Sequence, residues 1–143
     1  MPDKAKPLRL KAEDAEDLAI LSAALQDAVG KIGDIRFEAK ARRLTLALNR
    51  YRWEAGGRSR VRSALQLGSV EAVEARRLRR DAPEAVVELL ALSFEPDADP
   101  PGGSLILSFA GGGDLKVKVE CLDAVLADVS APWPTPRTPQ HES

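Results

Sequence analysis

The chain is 143 residues long, the length of one domain, and its 44% apolar and 30% charged residues lie far from the composition of disordered chains. One cysteine, Cys121, excludes an internal disulfide. No apolar run reaches the roughly 18 residues needed to cross a bilayer, and Met1-Pro2-Asp3-Lys4 lacks the apolar stretch of a signal peptide, so a cytoplasmic protein without membrane contact is expected.

The net charge of −1 conceals a segregation. Residues 1–35 carry 5 bases and 7 acids, residues 36–80 carry 13 and 4, and residues 81–143 carry 3 and 11, giving −2, +9 and −8. Either the basic middle meets a polyanion, or it is matched inside the fold by the acidic end.

Leu8-Arg9-Leu10-Lys11 alternates apolar and charged, as a short edge strand does. From Ala15 to Val29, Leu18, Leu21, Leu25 and Ala28 fall on one helical face, with Asp14 as N-cap and Gly30 as the left-handed stop. Ile35, Phe37 and Ala39, then Leu44, Leu46 and Leu48, take period two, a hairpin turning at Ala41-Arg42. Past Leu48 the aromatic rings of Tyr51 and Trp53 take the opposite phase and Arg50 and Arg52 the leucine phase, which a bulge near Asn49 or a strand leaving the sheet would explain. Arg60 to Ala75 reads as a strand pair or one long strand broken at Gly68. Ala85 to Phe94, apolar on both phases, fits a buried strand or a helix starting after Pro83, the strand being chosen because Leu105, Leu107 and Phe109 could pair with it. Leu105, Leu107 and Phe109 alternate, and after a Gly111-Gly112-Gly113 turn so do Leu115, Val117, Val119 and Cys121. Leu122, Val125, Leu126 and Val129 have helical spacing, which predicts a short closing helix. The Pro-rich segment 132–143 is set apart as a disordered tail, leaving 1–131 as a single domain.

The expected class is therefore α+β: an antiparallel sheet of six or seven strands, for which a partly closed barrel is one form, with an N-terminal-half helix and a short C-terminal helix. Strands joined by such short turns cannot be parallel.

Nothing here spells catalysis. The one histidine, His141, lies in the tail, so a serine or cysteine nucleophile lacks its usual base. Cys121 reads as a small buried hydrophobe, and one Cys with one His builds no zinc site. Glu95, Asp97 and Asp99 share a loop that Pro100-Pro101 interrupts, a poor cation site and the only cluster on which carboxylate catalysis could rest. Gly111-Gly112-Gly113 lacks the Gly-Lys-Ser/Thr of a phosphate loop. No catalytic residue, metal or cofactor is assigned.

The basic middle carries the functional content. Arg50, Tyr51, Arg52, Trp53, Arg58, Arg60 and Arg62 interleave cations with rings, the pattern of single-stranded nucleic-acid sites, but exposed strand arginines are more often solvated and Trp53 fits a core anchor as well as a contact. The run Arg76-Arg77-Leu78-Arg79-Arg80 adds a basic cluster. Leu25-Gln26-Asp27-Ala28, Asn49-Arg50-Tyr51-Arg52-Trp53-Glu54, Val119-Glu120-Cys121 and Pro132-Trp133 together resemble an uncharacterised alphaproteobacterial family of small single-domain proteins, a domain of unknown function. That resemblance implies a bacterial cytoplasmic protein and no activity. The expectation is a non-enzymatic binding module contacting another macromolecule, a protein being favoured over RNA or single-stranded DNA. A carboxylate-only enzyme stands third.

Overall fold

A computed structural model describes residues 6–136, 138 and 139. In chain order the elements are β1 (Arg9–Ala12), α1 (Ala15–Ala24), β2 (Ala28–Lys31), a 3₁₀ turn (Ile32–Asp34), β3 (Ile35–Glu38), β4 (Arg43–Tyr51), β5 (Ser59–Leu67), β6 (Val70–Arg76), β7 (Val86–Pro96), β8 (Gly103–Phe109), β9 (Asp114–Val119), β10 (Ala124–Asp128) and β11 (Trp133–Pro134). The strands form one antiparallel sheet in the order β1-β10-β5-β4-β2-β7-β8-β9-β6, with β3 added to β4 and β11 to β5. The expectation of six or seven strands with two helices is thus corrected to eleven strands and one short helix among the described residues, in a sheet that does not close.

The predicted closing helix is a strand. Leu122, Ala124 and Leu126 are buried at period two, and β10 lies between β1 and β5, with Leu126 opposite both Leu10 and Leu65. Two free strand edges satisfy every backbone group of a five-residue segment, whereas a helix that short leaves most of its ends unbonded. Helical and strand spacings coincide over so few residues.

Asp14 caps α1 as expected, its Oδ1 accepting from the Asp17 amide at 2.8 Å, and Leu18, Leu21 and Leu25 are buried. The helix stops at Ala24, because the chain turns at Asp27, where φ is +64°, and is captured by β7 through Asp27 N–H to Leu89 O at 2.8 Å. Ala28 is buried in β2 instead of on the helix. Gly30 is no helix stop: a Cβ there would stand 2.9 Å from the Ala47 carbonyl oxygen and 2.8 Å from a Leu48 methyl. Ser22 Oγ accepts from Leu92 N–H at 2.9 Å, tying α1 to β7 beside its irregularity between Leu89 and Ala91.

The core is built as cross-strand rows. In one half, Phe37, Leu44, Leu67 and Ala124 stand opposite one another in sequence, as do Ile35, Leu46, Leu65 and Leu126. In the other half the rows are Phe94, Leu105, Val117 and Val73, and Leu92, Leu107, Leu115 and Ala75. Burying each leucine contributes about 1.5–3 kcal/mol. Strand β2 bridges the halves, meeting β4 at Val29 opposite Asn49 and β7 along its length. The reading of Arg60 to Ala75 resolves into β5 and β6, which part at Ser69 (φ +55°) and join different halves. Within the segment set apart as a tail, Trp133–Pro134 pairs with Ser59–Arg60, while His141 lies outside the described residues.

Gly30→Ala should lower stability by about 1–3 kcal/mol, since the contact it forces is with backbone. A urea midpoint equal to that of the wild type would show that β2 and β4 do not approach so closely.

Candidate functional site

The arginines of β4 and β5 are where the structure departs most from expectation. No bulge occurs near Asn49: the register runs unbroken from Leu44 opposite Leu67 to Tyr51 opposite Arg60. Alternation therefore carries Arg50 inward behind Leu44, Leu46 and Leu48, and it is 0% exposed. Its Nε and Nη2 donate to Asp128 at 2.9 and 2.8 Å, and its Nη1 and Nη2 to Glu54 at 2.9 and 2.8 Å. Asp128 also accepts from Ser63 Oγ at 2.7 Å and from the Leu8 amide at 2.9 Å. Burial opposes the charge on Arg50, yet its hydrogen bonds to Glu54 and Asp128 hold its pKa above the usual value. Burial likewise pushes Asp128 up, but the bonds from Arg50, Ser63 and Leu8 outweigh it and leave the carboxyl below the usual range. The Arg50 hydrogen bonds lower Glu54.

The neighbouring candidates are also engaged internally. Tyr51 is buried with its ring 4.7 Å from that of Trp53, edge to face, and its hydroxyl meets Thr138 Oγ1 at 3.2 Å. Trp53, 37% exposed, donates from Nε1 to Gln26 O. Arg52 is buried and donates to Ser59 Oγ, Arg58 to Pro136 O, and Arg60 to Asn49 O. Arg62 bonds Asn49 Oδ1 and Asp34 Oδ2. Much of the charge segregation is thus met inside the chain: Arg42, Arg50 and Arg76 of the basic middle pair with Glu120, Asp128 and Asp114 of the acidic end.

Asp97 pairs with Lys118, and among the described residues no group of three or more His, Cys, Asp or Glu could hold a metal. Cys121 is half-buried near Ser69 Oγ. No helix of the described residues is long and apolar enough to cross a membrane.

A different feature has the form of a site. Strand β3 pairs with β4 alone and β6 with β9 alone, so each leaves one edge unpaired. Between them lies a groove of about 490 Å³, walled by Ile35 and Phe37 of β3 and Val73 and Ala75 of β6, and floored by Leu44 and Leu115. The core rows of both halves end there, facing one another with no strand between. Phe37 is 41% exposed. Leu78, Arg80 and Pro83 close one end, where Gly33 N–H bonds Pro83 O at 2.8 Å, and Val70 N–H bonds Arg42 O at 2.9 Å at the other. A Cβ on Gly33 would stand 3.0 Å from the Pro83 carbonyl oxygen and Cβ, a tight contact at that end. As functional candidates the sequence marked only Leu78 and Arg80 among these residues, within the basic run. Its walls, Ile35, Phe37, Val73 and Ala75, sit on two short strands 35 residues apart whose facing edges no local pattern reveals.

Arg50→Met would strand Asp128 in the interior and should cost about 3–5 kcal/mol, most of it recovered in Arg50→Met/Asp128→Leu. Urea unfolding of both variants measures this, and equal midpoints for the single variant and wild type would refute it. Both carboxyls have lowered folded pKa values, so their stabilisation is complete above the unfolded carboxylate range and is lost as pH falls through the folded values. The melting temperature should therefore drop below about pH 4, and drop less in the double variant.

Residues 8–141 match the family described as "Protein of unknown function (DUF2948)". No curated protein and no solved structure matches. A match over nearly the whole chain places it plainly: the chain belongs to the DUF2948 family.

Proposed function

We propose that this chain is a non-enzymatic binding module that takes an extended segment of another protein into the groove between β3 and β6 by strand addition. The observation that carries this reading is the pair of unpaired strand edges facing each other across an apolar groove. A guest strand would gain backbone hydrogen bonds from an edge, and its inward side chains would continue the interrupted rows between Ile35 and Phe37 on one side and Val73 and Ala75 on the other. Groove length follows β3, whose four residues span roughly 13 Å, so the guest is short. Its chemistry is apolar at alternate positions.

Nucleic-acid binding through residues 36–80 has weaker support, because Arg42, Arg43, Arg50, Arg62 and Arg76 each face a carboxylate of this same chain. A cytoplasmic setting in an alphaproteobacterial cell accompanies the proposal, in keeping with the sequence resemblance and the single cysteine.

The test is to pan a displayed random-peptide library on the wild-type protein and on Val73→Lys, with folding checked by circular dichroism. Enriched peptides should alternate apolar and polar residues, protect β3 and β6 amides from hydrogen exchange, and lose about tenfold or more in affinity on Val73→Lys, or 1.4 kcal/mol. Peptides that bind Val73→Lys equally, protection confined to Arg58–Arg62, or a dimer that Val73→Lys dissolves would overturn the reading.

A further inference from the structure

We infer that the segment received by this groove carries acidic residues immediately N-terminal to its apolar stretch, an inference that rests on the strand-addition reading above. Its basis is the direction of the two edges and the charge at each end.

The two closing hydrogen bonds fix the direction. Gly33, before β3, meets Pro83, after β6, and Arg42, after β3, meets Val70, at the start of β6. The facing edges therefore run antiparallel to each other, and any strand laid between them is antiparallel to one and parallel to the other. Strand β6 offers seven residues and β3 four, and antiparallel pairing is the more stable per residue. A guest antiparallel to β6 gains more, and it lies with its N-terminal end toward Arg76 and its C-terminal end toward Val70.

Charge at the Arg76 end is unbalanced. Arg77, Arg79 and Arg80 are exposed and make no ion pair among the described residues, and Arg80 lines the groove itself. Nearby Arg76 is held by Asp114 with Glu74 beside it, and Glu84 by Lys31, which leaves Asp81 as the one acid in the run that follows Arg80 to face three arginines. At the Val70 end charge is balanced: Glu120 pairs with Arg42 and Glu38 with Arg43, exposed Glu71 acts on Arg42, and Lys40 is exposed in the same turn. Carboxylates ahead of the apolar stretch meet three guanidinium groups without carboxylate partners, and carboxylates behind it meet no such surplus.

Three capped synthetic peptides separate the possibilities: a Val-Thr-Val-Thr-Val core preceded by two aspartates, followed by two aspartates, or flanked by serines. By fluorescence anisotropy at low salt, the first should bind about tenfold more tightly than the others. That advantage should shrink as salt rises and vanish in Arg79→Glu/Arg80→Glu. Equal affinity of the three peptides, or preference for trailing aspartates, overturns the inference, and if Val73→Lys still abolishes binding of all three, the strand-addition reading survives. Absence of binding by any peptide, or binding indifferent to Val73→Lys, removes both.

Discussion

The buried guanidinium of Arg50 is the constraint around which one half of the molecule is organised. Its carboxylate partner Asp128 ends β10, accepts from Ser63 on β5 and from the Leu8 amide just before β1, and so gathers four neighbouring strands at one point. An isolated charge in that place would be expelled, and it is retained because two carboxylates engage its donors in fork-like geometry. The apolar rows of Leu44 and Leu46 therefore end in a polar layer of Ser63, Asp128 and Arg50 instead of continuing to the rim. The residue that looked most like a contact for an outside polyanion is thus an internal tie.

That tie exemplifies how charge is used throughout the chain. Acids from the last third of the sequence reach back to bases of the middle third, since β10 pairs with β5 and β9 with β6. Pairing of strands distant in sequence brings opposite charges together, and a strongly uneven linear distribution becomes a largely matched one in space. Among the described residues, Arg77, Arg79 and Arg80 of the short run after β6 make no ion pair, and that run lies where the sheet fails to close. Surplus positive charge and unsatisfied strand edges coincide there.

How far this was legible in the sequence depends on the range of the interaction. Asp14 as a cap, the hairpin at Ala41-Arg42 and the alternating strand from Leu115 were readable because they depend on neighbours a few residues away. The segment 122–129 was misread because Leu122, Val125, Leu126 and Val129 satisfy a helical period while Leu122, Ala124 and Leu126 satisfy a strand's, and only the free edges of β1 and β5 decide between them. Arg50 was visible as the next inward step after Leu44, Leu46 and Leu48, and Asp128 as the next after Ala124 and Leu126. Hydrophobicity argued against both, because burial was possible only as a pair. The groove was hidden: it arises from two strands that do not touch.

An unclosed sheet also carries a hazard. Exposed strand edges can template the pairing of one molecule on the next, and runaway stacking into fibrils is the outcome that soluble sheet proteins must prevent. Here β3 is only four residues long, Arg36, Glu38, Glu71 and Glu74 stand exposed along the two edges, and the bonds at Gly33 and Val70 cap the gap at both ends. With the gap stoppered in this way, only the few residues between the two bonds are left open to pairing by another molecule, too short a template for stacking to propagate.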